Sequence, residues 1–209
     1  MGATVALTRL SIFPLPGALL FPGLQLPLHI FEPRYRALVT DALARDRRIA
    51  MIQPQAPFEG APLFSVGCVG HIDQVEALDD GRFNIVLEGV ARFRLVRELD
   101  ASTPFRQIEA ELIEDPADEA LSAVERAGFE REARRYADAQ GYAVNWESVA
   151  RLDDQSLING VSQIAPFDAA AKQALLEAPD LHARCELLVQ LMQFFGKHEG
   201  GDEGQVTLQ

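Results

Sequence analysis

Covalent chemistry in this sequence would have to start from its two lysines or its two cysteines. A serine-lysine dyad needs both side chains within hydrogen-bond reach, yet Ser162 lies ten residues before Lys172 and on a different predicted helix. Cys68 and His71 are three positions apart in a predicted strand, which places their side chains on opposite faces of the sheet. Neither pair predicts an activated nucleophile, so we expect no catalytic residue.

Metal, phosphate and carboxylate chemistry is not predicted either. The four histidines and two cysteines are scattered and show no ligand spacing. A phosphate loop needs Ser or Thr after its Gly-Lys pair, whereas Lys197 is followed by His198. Asp79-Asp80 and Asp153-Asp154 fit a turn and a helix cap better than a paired-carboxylate site. We therefore expect no metal and no cofactor.

Three residues are candidates for binding a polypeptide. Phe58 lies in the loop "QPQAPFEGAPLF", where it is either tucked under the sheet or displayed as an apolar anchor. Arg92 and Arg94 alternate along a predicted strand and would project from one face. They could bind a carboxylate or backbone carbonyls of a partner, although a solvated strand face explains them as well.

Glu32, Pro33 and Arg36 form a motif with a structural interpretation. Apolar residues recur at helical spacing from Pro33 to Arg45, and proline is well suited to the first position of a helix. Glu32 would then be the cap, where a carboxylate favours the positive end of the helix. Because Arg36 follows Glu32 by four positions, we expect a local ion pair between them.

An uncharged run from Leu10 to Phe31 is long enough to cross a bilayer. Four prolines exclude a membrane helix, since each interior proline costs about 3 kcal/mol: Pro14, Pro16, Pro22 and Pro27. The start of the chain also lacks the features of a signal peptide. We expect short buried strands here, no membrane association and a cytoplasmic protein with two reduced thiols.

Strand signals dominate the sequence up to residue 115. They cover residues 24–30, 49–53, 64–77 and 106–113, and Asp79-Asp80-Gly81 predicts a hairpin turn before a long arm. An isolated glycine in that arm, Gly89, predicts a bulge or bend. The region therefore predicts an antiparallel β-rich domain with one inserted helix.

From Asp115 onward the sequence predicts helices. Asp115 is the expected helix cap, and Pro116 is the expected first helical residue. The last helix carries an apolar stripe that suits the core of a bundle: Leu181, Cys185, Leu188, Leu191, Met192 and Phe195. We predict a β domain over residues 1–115, a helical bundle over 116–197 and a disordered tail over 198–209.

Several stretches together resemble the N-terminal, substrate-binding domain of Lon proteases: "FPLPGALLFPGLQLPLHIFEPRYRALV", "LFSVGCVGHI", "DGRFNIVLEGVARFRLV" and the helical "DDQSLINGVSQIAPFDAAAKQALLEAPDLHARCELL". The resemblance implies an α+β fold, with a six-stranded PUA-like pseudo-barrel followed by a helical bundle, and a role in recognising polypeptides. With no phosphate loop or protease domain in the sequence, the expected relatives are free-standing members of the family.

The leading hypothesis is a non-enzymatic module that binds unfolded or extended polypeptides, or another protein partner. The alternative is a PUA-like nucleic-acid or small-ligand binder, but the net charge of −12 offers no basic surface and argues against nucleic acid. A cryptic hydrolase that depends on Lys172 or Cys68 is a remote third hypothesis.

Overall fold

The computed structural model describes residues 6–116 and 119–198, which form six strands and six helices. The described residues divide into two compact units. Unit 1 contains residues 6–116 and 168–177, and unit 2 contains residues 119–167 and 178–198. The predicted mixed α+β class is confirmed.

Unit 1 is built on one sheet of six strands, in the order β2-β5-β4-β3-β1-β6. The strands are β1 (Leu7–Pro14), β2 (Gln25–Ile30), β3 (Arg48–Ile52), β4 (Val66–Ala77), β5 (Phe83–Leu99) and β6 (Gln107–Leu112). β1 and β3 are parallel, and all other pairs are antiparallel. β5 pairs with β2 through its first half and with β6 through its second, so the sheet closes on itself.

A bulge beside Gly89 lets β5 serve both pairings. Val69 lies opposite Ala91 but Gly70 lies opposite Gly89, which leaves Val90 without a partner on β4. Gly89 also lies so close to the preceding loop that a Cβ atom would stand 2.0 Å from the carbonyl oxygen of Phe21. The bulge predicted at this glycine is confirmed, and the strand continues through it.

Both faces of β3 are buried, in two different apolar clusters. Ile49 and Met51 pack in a cluster with α1 (Pro33–Leu43), whereas Ala50 and Ile52 pack with residues of β1, β5 and β6. Such two-sided burial explains why β3 reads as a continuous apolar run instead of an alternating pattern.

Helix α5 (Ala169–Glu177) belongs to unit 1, although the sequence placed it in the helical half. Gln53, at the end of β3, is buried and donates through Nε2 to the carbonyl of Ala169 and to Oε1 of Gln173, both at 3.0 Å. Gln173 in turn donates to the carbonyl of Val66 at 3.1 Å. These buried amides attach α5 to the ends of β3 and β4.

Unit 2 consists of α2 (Ala123–Ala139), α3 (Trp146–Val149), α4 (Asp154–Ile164) and α6 (Leu181–His198), with α6 packed on α2 and α4. The stripe predicted on the last helix is buried at Leu181, Cys185, Leu188 and Met192. No helix of the described residues is both long and apolar enough to cross a membrane. Apart from His198, the predicted tail lies outside the described residues.

The helix start predicted at Asp115-Pro116 is wrong. The carboxylate of Asp115 accepts hydrogen bonds from Arg92 and does not cap a helix. α2 begins later, after Ser122, whose hydroxyl accepts from the backbone of Glu125 while the Glu125 carboxylate accepts from the backbone of Ser122. This reciprocal capping box satisfies donors that a helix leaves open at its N-terminus.

Gly89→Ala should destabilise the protein by about 3 kcal/mol, because the new Cβ atom would meet backbone atoms that cannot rotate away. Gly128→Ala is the control for the substitution itself. Among the residues that the structure describes, no atom outside the adjoining backbone of α2 and the two chain neighbours lies within 4 Å of the added methyl group, so the substitution should stabilise by about 1 kcal/mol. Urea unfolding of both variants measures the difference, and equal effects would contradict the close approach.

Stability should depend on pH through Glu125 and His182, whose Oε1 and Nδ1 atoms are 2.9 Å apart. Hydrogen bonds from Ser122 and His182 lower the pKa of Glu125 to about 2, and the bond to Glu125 raises the pKa of His182 above 6.5. The carboxylate therefore stabilises above pH 4.5 and loses this effect as the pH falls. Protonated His182 stabilises below pH 6.5 and loses its effect as the pH rises.

His182→Gln should consequently lose more stability at about pH 5.5 than at about pH 8.5. Denaturant midpoints of the variant and the unmodified protein at both pH values provide the measurement. The same loss at the two pH values would show that the histidine does not act through its charge.

Candidate functional site

A cleft with a volume of about 540 Å³ opens in unit 1 at the start of α1. The loop after β1, the loop between β3 and β4, and the connection between β5 and β6 form its other sides. Five of the lining residues are prolines: Pro14, Pro16, Pro54, Pro57 and Pro104. Proline has a fixed φ angle and no N–H group, so the prolines stiffen the walls of this proline cleft, which also carries charged side chains.

Phe58 stands at the tip of the loop between β3 and β4 and is 63% exposed. The loop is held by backbone bonds from Gln55 to Pro62 at 2.7 Å and from Ala61 to Phe58 at 3.2 Å. Of the two positions that the sequence left open, the structure shows the displayed one. Phe58 is therefore an exposed aromatic side chain on a compact loop that lines the proline cleft.

Tyr35 also lines the cleft, in the first turn of α1, and it was not among the binding candidates predicted from the sequence. The centroid of the Tyr35 ring is 4.1 Å from that of Phe13. The guanidinium carbon of Arg34 lies over the Tyr35 ring, 4.7 Å from its centroid. Burial raises the pKa of Tyr35 above its ordinary value of 10.0.

The ion pair predicted between Glu32 and Arg36 is replaced by one with Arg34. Arg34 Nη2 is 2.9 Å from Glu32 Oε2, and Arg34 Nη1 contacts Glu59 of the loop that carries Phe58. Arg36 lies instead against Gly81 in the hairpin turn. The prediction was wrong because Glu59, from a loop distant in sequence, lies beside Arg34 and Glu32, whereas Arg36 lies against the hairpin turn.

Arg106 fixes the opposite side of the cleft. Its guanidinium donates to both carboxylate oxygens of Glu98, at 2.6 and 2.7 Å, and to the carbonyl of Ala61 at 3.1 Å. These bonds lower the pKa of Glu98 and raise the pKa of Arg106. The arginine therefore connects β5 to the loop between β3 and β4.

Arg92 and Arg94 do not share an open face. Arg94 is exposed, but Arg92 is only 1% exposed and donates to the Asp115 carboxylate and, at 2.7 Å, to the carbonyl of Leu176 on α5. The expectation of an exposed Arg92 is corrected, because α5 contributes to its surroundings from far along the chain. Neither arginine lines the proline cleft.

The residues considered for covalent chemistry have structural surroundings. Cys68 is fully buried, and this burial raises the pKa of its thiol to about 12. Ser162 is buried in unit 2 and donates to the carbonyl of Ile158, whereas Lys172 belongs to unit 1. Over residues 6–116 and 119–198, no group of three or more His, Cys, Asp or Glu side chains could hold a metal ion.

Comparison with known proteins gives one consistent result. The family model of the ATP-dependent protease La (LON) substrate-binding domain matches residues 9–193. Lon protease 2 of Myxococcus xanthus is 28% identical over 88% of this chain and 23% of that protein, and Lon protease 2 of Sorangium cellulosum is 31% identical over 87% and 24%. The chain thus spans about a quarter of the length of these curated relatives.

A solved structure shows the same fold. The crystal structure of the Lon N-terminal domain protein from Xanthomonas campestris matches with a TM-score of 0.68 and 22% identity, over 88% of this chain and 98% of that one. The region of similarity is a substrate-binding domain and not the catalytic part of a protease.

Arg92→Met should destabilise the protein by about 3 kcal/mol, because it leaves the partly buried Asp115 without its cation. Arg94→Met is the control on the same strand, and its exposed side chain should contribute within about 0.5 kcal/mol. Urea unfolding compares the two variants. Equal losses would contradict the structural role that we assign to Arg92.

Proposed function

Because this chain belongs to the family of Lon substrate-binding domains, we propose that it binds polypeptides without hydrolysing them, and that an extended segment docks in the proline cleft. The observation that carries the proposal is the exposed Phe58, displayed beside the stiff proline-rich walls of the cleft. A large aromatic side chain next to a preformed concave surface is a frequent anchor of protein interfaces.

The physics of the cleft supports a non-covalent role. Burial of an exposed phenylalanine against a partner contributes about 1.5–3 kcal/mol. The walls need not be ordered on binding, since the prolines and the loop hydrogen bonds already fix them. Arg94 is not part of this proposal because it lies outside the cleft lining, and Arg92 is excluded by its burial.

We further propose a PUA-like pseudo-barrel fold, a cytoplasmic location and no binding of nucleic acid. Closure of the six-stranded sheet by β5 and β6 supports a PUA-like pseudo-barrel. The free, buried thiols of Cys68 and Cys185 support a reducing, cytoplasmic setting. The net charge of −12 disfavours the nucleic-acid alternative.

Phe58→Ala should weaken binding about tenfold, because it removes the displayed anchor while the cleft walls remain. Phe31→Ala is a matched control, since Phe31 is 60% exposed and lies outside the cleft lining. The measurement is fluorescence anisotropy of a labelled, permanently unfolded protein, with a folded protein of similar charge as the reference ligand.

The two phenylalanine variants distinguish anchoring from general hydrophobicity. An unchanged dissociation constant for Phe58→Ala would remove the cleft from the proposal. Equal weakening by both variants would indicate that any exposed aromatic surface suffices. Absence of saturable binding by the unmodified protein would overturn the function itself.

A further inference from the structure

We infer that the proline cleft selects polypeptide segments that carry positive charge beside their apolar residues. This inference rests on the proposed function and names the class of segment that the cleft accepts. It follows from the distribution of charge around the cleft and from the way in which each charged group is paired.

Six charged side chains line the cleft, and carboxylates outnumber guanidinium groups by two. The carboxylates are those of Glu32, Glu59, Glu98 and Asp100, and the guanidinium groups are those of Arg34 and Arg106. At neutral pH the lining therefore carries a net negative charge.

Both arginines are already engaged by the cleft's own acids. Arg34 lies between Glu32 and Glu59, and Arg106 makes a two-pronged contact with Glu98 and a further bond to the carbonyl of Ala61. A carboxylate on a bound segment would have to compete with these contacts. The structure thus gives an acidic segment no ready cation within the lining.

The carboxylates of Asp100 and Glu59, in contrast, can still accept hydrogen bonds from a bound segment. Asp100, exposed in the connection between β5 and β6, makes no ion pair with any residue that the structure describes. Glu59 is 81% exposed and contacts Arg34. An ionised carboxylate has about four lone-pair positions, so both groups can accept hydrogen bonds from an ammonium or guanidinium group of a segment held against the prolines of the cleft.

The position of these charges strengthens their effect. Proline and phenylalanine side chains next to the acids lower the local polarity, and a charge pair beside apolar surface interacts more strongly than the same pair in bulk water. A segment with Lys or Arg beside its apolar residues gains this interaction. An acidic segment loses by repulsion, which is how many sites reject wrong partners.

Three labelled peptides test the inference directly. They share length and apolar residues and differ at two positions, which hold Lys, Ser or Glu. The lysine peptide should bind at least about fivefold more tightly than the glutamate peptide at low salt, with the serine peptide between them. Most of this difference should disappear at about 0.5 M salt, because the charges are close to solvent.

The outcomes separate the inference from the function on which it rests. Equal affinity for the three peptides would overturn the charge selectivity and leave polypeptide binding standing. Tighter binding of the glutamate peptide would also overturn it. No binding of any peptide, together with no binding of the unfolded protein, would overturn the proposed function.

A pair of variants locates the selectivity in the cleft. Asp100→Asn should reduce the ratio of lysine-peptide to glutamate-peptide affinity about twofold to threefold. Asp73→Asn removes the same charge from an exposed position on β4 outside the lining, and it should leave the ratio unchanged. If both variants reduced the affinity ratio equally, the preference would come from the overall charge of −12, and the inference that the cleft is selective would be wrong.

Discussion

A buried positive charge, that of Arg92, is the constraint around which unit 1 is organised. An isolated charge in a protein interior costs several kcal/mol, so acceptors must be brought to it. They come from two distant parts of the chain, the carboxylate of Asp115 after β6 and the carbonyl of Leu176 at the end of α5. The buried side-chain amides of Gln53 and Gln173 also need hydrogen-bond partners, and they find them in each other and at the ends of β3 and β4.

The long strand β5 contains Arg92 and extends from it to the proline cleft. Its first half pairs with β2, its second half pairs with β6, and the bulge at Val90 joins the two pairings. Its end supplies Glu98, which holds Arg106 against the loop between β3 and β4. The exposed Phe58 therefore stands on a loop that is anchored to the closed sheet and is not free to collapse into it.

Features with local causes could be predicted from the sequence. The hairpin at residues 79–81, the bulge at Gly89 and the start of α1 at Pro33 each depend on neighbouring residues and the backbone geometry they favour. The burial of Arg92 and the pairing of Glu32 with Arg34 could not, because each depends on where distant segments pack. Phe58 was recognisable as a candidate from its Pro/Gly-rich loop, but only the structure shows that its side chain is exposed.

The membership of α5 in unit 1 means that this unit is not continuous along the polypeptide. During synthesis, residues 6–116 emerge first, and the stretch up to residue 167 follows before α5 is available. At about 5–20 residues per second, that interval lasts roughly 3–10 s. Throughout it the guanidinium of Arg92 lacks the carbonyl of Leu176, so a backbone partner of the buried charge arrives only after residues 119–167 of unit 2, which precede α5.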